Sequence, residues 1–138
     1  MNRVGWWVGT VGVVASLALA GTGVQAAEQA KGTLDGKVFS GEVANKGKKH
    51  GDKDNFVFRD GTFRSTACDP YGFKPTAYTA VTNGNATAFE AKAISPKEGT
   101  MMWKGTVRGS AIEGTTQWHK PNGKIQEMWF KGSLKSKS

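Results

Sequence analysis

The chain is punctuated by tight-turn dipeptides at short intervals. Asp60-Gly61, Asn83-Gly84, Gly109-Ser110 and Pro121-Asn122-Gly123 each separate two β-rich runs. Glycine accepts a positive φ without a Cβ clash, so Asp-Gly and Asn-Gly are strong hairpin signals. Between these turns lie "GKVFSGEV", "NFVFRDGTFRSTAC", "TAYTAVTNGNATAFEAKAI" and "TMMWKGTVRGSAIEGTTQWHKPNGKIQEMWFKGSL", and no helical periodicity competes with them after Ala30. The spacing predicts strands over 37–43, 54–59, 62–68, 76–82, 85–94, 100–108, 111–119 and 124–134. Sequential strands with short connections suit an all-β, eight-stranded antiparallel up-and-down β-barrel, because closure removes exposed edges. A β-sandwich is the alternative.

Ahead of the strands, "MNRVGWWVGTVGVVASLALAGTGVQA" joins one charge, Arg3, to an apolar small-residue stretch ending in Val24-Gln25-Ala26. That pattern predicts a secretory signal peptide over 1–26, cleaved after Ala26, and a single β-barrel domain over 27–138 that is periplasmic or secreted. Of the 19 Lys/Arg only Arg3 lies in that stretch, so the exported part is basic, set against 11 Asp/Glu. Charge and a poor supply of Leu, Ile, Val and Phe taken together would suggest disorder. The chain's 7 Phe, 5 Trp and 2 Tyr argue otherwise, since all but Trp6 and Trp7 fall among the strands at regular intervals.

Alternation assigns the faces. Phe56 and Phe58 share one, as do Trp103, Gly105 and Val107, then Ile112, Gly114, Thr116 and Trp118. With Met128, Phe130 and Leu134 inside, Trp129 lies outside with Ile125, Glu127 and Lys131. Inward Trp103 and Trp118 beside Gly105 and Gly114 suggest room for a small molecule. The candidate ligand-binding residues are Trp103, Trp118, Trp129, Tyr71 and Phe73. The last two, from "DPYGF", are read either as a structural cap on an open barrel end or as a lid over a ligand.

The chain has one cysteine, Cys68, so an intrachain disulfide is impossible. It is a buried small hydrophobe, a partner in a mixed disulfide, or a nucleophile. Strand parity puts it on one face with Arg64 and Thr66, opposite Phe63, Ser65 and Ala67. Neither His50 nor His119 is placed beside it by spacing, so no catalytic residues are assigned and the protein is not read as an enzyme.

Lys46, Lys48, Lys49 and His50 form the strongest charge cluster. It is either a solvated loop or a surface that attracts an anionic envelope component. Nucleic acid is not an expected partner, since the aromatic spacing matches no recognition signature. No metal site is assigned, because the histidines are far apart and Asp52-Lys53-Asp54 leads into Phe56 and Val57 where a calcium loop needs a ligand and a glycine. No cofactor is called for.

The stretch "TMMWKGTVRGSAIEGTTQW", followed by "MWFKGSL", resembles the later strands of avidin-type barrels, with Trp103, Trp118 and Trp129 at the matching tryptophan positions. The first strand, "DGKVFSGEV", lacks that family's Asn-x-x-Gly-Ser biotin motif. The resemblance therefore implies barrel architecture, shared with lipocalin-like proteins, and not biotin binding. The exported part as a whole is similar to small exported bacterial β-barrel proteins.

Overall fold

A computed structural model describes residues 32–137; the expected signal peptide lies outside the described residues. Eight strands follow one another: β1 (Lys37–Asn45), β2 (Asp52–Arg59), β3 (Thr62–Ser65), β4 (Thr76–Asn83), β5 (Ala86–Ser95), β6 (Gly99–Arg108), β7 (Ala111–His119) and β8 (Ile125–Lys137). Each pairs antiparallel with the next, and β8 returns to β1, so the wall is a closed barrel rather than a sandwich. The β2–β3 turn shows how the sequence specifies this. Arg59 pairs with Thr62, and Asp60 and Gly61 between them take φ of 53° and 75°. Those angles suit a two-residue hairpin whose twist matches its strands.

Aromatic rings fill the interior. Phe58 meets Tyr78 and Phe89 edge-on at centroid distances of 5.1 and 5.0 Å. Trp103 lies 5.0 Å from Phe63 and 5.1 Å from Phe130. Such pairs contribute roughly 0.5–1.5 kcal/mol each beyond the area they bury, so the cluster compensates for the scarcity of aliphatic side chains. Outside, Glu90, Lys92, Lys104, Glu113 and Lys131 are exposed. A lipid-spanning barrel has the reverse arrangement, apolar outside and polar within. No helix among the described residues is long and apolar enough to cross a membrane.

One end is sealed. The chain before β1 crosses it with Leu34 buried, and the Tyr78 hydroxyl accepts from Leu34 N at 2.9 Å while donating to Asp35 Oδ1 at 2.8 Å. Asp35 in turn accepts from Gly61 N, which ties this strap to the β2–β3 turn.

Two sequence expectations need correction. Gly105 and Gly114 do face inward and pair across β6 and β7, but they leave no room for a ligand. A Cβ at Gly105 would lie 2.7 Å from Phe130 Cζ and 2.8 Å from Phe89 Cε1, and one at Gly114 would lie 2.8 Å from Phe130 Cζ. The space is taken by this chain's own rings. The third strand is also shorter than expected. It stops at Ser65, and Thr66–Tyr71 form a 3-10 helix ending at Gly72 in the left-handed region. Asp54, buried on β2, causes the break by accepting from Ser65 Oγ and from Ala67 N. Strand parity therefore fails beyond Ser65, and Cys68 turns into the core with Phe63 and Ser65. Arg64 stays outside and pairs with Asp69, donating from Nε to Oδ1 at 3.1 Å.

Candidate functional site at the open mouth

The loops β1–β2, β3–β4, β5–β6 and β7–β8 all lie at the end opposite the sealed one, as the up-and-down order requires. There the aromatic filling stops short of the rim and leaves a cup of ≈ 390 Å³. Met101, at 2% exposed, is the most buried of its lining residues, and its Sδ lies 3.5 Å from Cys68 Sγ. Val43, Phe73, Trp118 and Met128 contribute apolar walls, while Lys48, His50, Asp52 and Gln126 add polar groups.

The aromatic residues singled out from sequence divide among three places. Trp118, Tyr71 and Phe73 gather at the mouth, where Trp118 lies 6.0 Å from Tyr71 and 6.3 Å from Phe73. The Trp118 indole N–H donates to Glu98 O at 2.7 Å, which fixes the ring against the β5–β6 turn. Ser95 Oγ holds the opposite side by donating to Tyr71 O and accepting from Glu98 N. Tyr71 remains 51% exposed, so its ring stands at the edge with one side free. Trp103 does not line the cup; it is 2% exposed within the ring cluster below. Trp129 is on the outer face, where its indole N–H donates to Lys48 O at 2.9 Å.

That last bond involves the basic loop. Lys46 N donates to Glu127 O at 3.0 Å, and the Lys46 ammonium lies 3.4 Å from the Glu127 carboxylate. Gly51 N donates to Glu42 Oε1, beside His50. The loop is thus fastened at three points, and its Lys48–Gly51 portion forms one lip of the cup. Sequence spacing singled out Lys46, Lys48 and Lys49 but gave no sign that Lys48 borders the cavity.

Cys68 is chemically quiet. Burial pushes its thiol up to about 11; the Ser65 hydrogen bond opposes this, and the nearby Asp54 and Asp69 charges add to it. Burial also raises the Asp54 carboxyl, against the hydrogen bonds from Ser65, Ala67, Asn55 and Thr66. His119 bonds Gln117 and His50 sits by Glu42, while the thiol's own polar contacts are Ser65 Oγ at 3.4 Å and Met101 Sδ at 3.5 Å. At pH 8 iodoacetamide should modify Cys68 on the order of a hundredfold more slowly than a free thiol, measured by mass. A raised thiol pKa means the folded state holds its proton longer than the unfolded state does. The stability this contributes is complete below about pH 9 and is lost as pH climbs toward about 11. Rapid labelling at pH 8 in the folded protein would contradict the burial described here.

Among the described residues no three His, Cys, Asp or Glu side chains converge to hold a metal ion. The cup combines sulfur and ring surface with hydrogen-bonding and charged groups. Comparison with protein-family models, with curated proteins and with solved structures finds no match for the chain.

Proposed function

We propose that this protein is an exported, non-catalytic barrel that binds a small, partly apolar molecule in its open mouth. The observation that supports this reading is the ≈ 390 Å³ cup above an otherwise filled interior. Its volume falls within the roughly 300–1,000 Å³ range of small-molecule sites, and its mix of apolar wall with a few polar groups is typical of them. The ligand is held by Phe73, Trp118 and Met128, with Tyr71 at the edge. Trp103 takes no direct part, since it is closed off beneath.

Trp118 supplies the assay, because it is the tryptophan in the cup wall. Titration with neutral hydrophobes such as decanol should shift or quench tryptophan emission, and Trp118→Phe should remove most of that change. No response across an apolar panel, with the protein shown folded by circular dichroism, would end this reading. The competing view is an envelope or interaction protein that acts through its basic loop and outer face. The aromatic filling of the lower barrel favours it, because that part has no space for a ligand.

A further inference from the structure

The cup and the basic loop belong to one end of the molecule, which joins features that looked separate in the sequence. The β1–β2 loop brings Lys46, Lys48 and Lys49 to this end. The other three mouth loops add Lys74, Lys97, Lys120 and Lys124. Acidic groups nearby are largely engaged already: Glu127 with Lys46, Asp69 with Arg64, and Glu42 beside His50. Apart from Lys46, none of these lysines forms an ion pair among the described residues. Asp52 in the cup, Asp54 buried beside Ser65 and Ala67, and Glu98 in the β5–β6 turn are the remaining carboxylates at this end, too few to balance the cations.

The lysines are not remote from the apolar surface. Lys48 borders the cup itself. The Lys120 ammonium lies 4.7 Å from the centroid of the Trp118 ring, so a charge stands directly against the cup's aromatic wall. Lys97 and Lys120 also border a shallower depression that shares Trp118. A neutral apolar molecule would fill the cup and leave this charge unanswered. An amphiphile with an anionic head would satisfy both.

We propose that the ligand is an amphiphilic anion, its apolar part among Phe73, Met101, Trp118 and Met128 and its negative head among the rim lysines. This rests on the reading of the cup as a ligand site and adds the ligand's charge. Exposed cations at several points around a rim attract an anion by summed field more than by one fixed contact, so the preference is sensitive to salt.

The test compares decanoate, decanol and decyltrimethylammonium, which share a chain and differ in head charge, by Trp118 emission in the full exported chain. At about 20 mM salt decanoate should bind about tenfold or more tighter than decanol, and the gap should narrow at about 500 mM as screening shortens the field. In Lys48→Gln/Lys120→Gln the preference should fall below about threefold. Equal binding of decanoate and decanol at low salt, or a preference for the cation, overturns the charge inference while the cup remains a ligand site. Failure of all three probes to bind instead overturns the ligand site itself. Sedimentation with phosphatidylglycerol and with phosphatidylcholine vesicles separates the two sources of such a ligand. Selective capture by phosphatidylglycerol supports an amphiphile presented from a bilayer, whereas decanoate binding without capture supports a free one.

Discussion

Phe130→Ala is expected to destabilise the barrel by about 3–5 kcal/mol, enough to lower its melting temperature by on the order of 15 °C. Phe130 is 1% exposed and sits where three rings meet, with centroids 5.1 Å from Phe56, 5.1 Å from Trp103 and 6.2 Å from Phe89. Its tip also occupies the space between Gly105 and Gly114. Removing it leaves a hole that its neighbours cannot close, because each ring is itself wedged against others and two facing residues are glycine. Chemical denaturation with unchanged slope and a lower midpoint is the expected signature. A loss under about 1 kcal/mol would show that the cluster repacks freely and is not the filled interior described above.

Gly114→Ala should be nearly as harmful for the opposite reason. The new Cβ would stand 2.1 Å from Lys104 O and 2.5 Å from Gly105 Cα, so β6 and β7 would have to part. Overpacking costs about 1–3 kcal/mol when side chains can give way, and here backbone must move, which places the effect at about 3 kcal/mol. A second substitution identifies the cause. At Gly105 the closest atoms are ring carbons of Phe130 and Phe89, so pairing Gly105→Ala with Phe130→Leu should recover part of its cost. Pairing Gly114→Ala with Phe130→Leu should recover little, since the carbonyl remains in the way. A Gly114→Ala protein as stable as the parent would mean the two strands are not in such close approach.

Much of the architecture was legible because its signals are local. Asp60-Gly61 and its fellow turns mark where the chain reverses, and two-residue alternation assigns Phe56, Phe58, Trp103 and Phe130 to the inside without tertiary information. What was hidden depends on residues far apart in sequence. Cys68 faces the core because a carboxylate on β2 curls the chain after Ser65, which strand parity cannot foresee. Inward glycines looked like empty space because alternation gives a direction and not the identity of what lies opposite. The cup is assembled from the β1–β2 and β3–β4 connections together with residues of β1, β2, β6, β7 and β8. Its basic rim was visible only as a cluster in one loop, until closure of the barrel brought the remaining lysines to the same end.

The seam between β3 and β4 is the shortest in the wall, joined through Thr62 with Ala77 and Phe63 with Thr76. Beyond it, the segment from Thr66 to Pro75 carries Cys68, Tyr71 and Phe73 without strand partners on either side. The other seven seams are ladders of four or more residue pairs, whereas this segment is held by hydrogen bonds to Asp54 and Ser95 and by burial of Cys68 and Phe73. A change in the width of the cup on that side would break the bonds to Asp54 and Ser95 but no strand ladder, so under the proposed function a guest of different bulk is expected to be accommodated there.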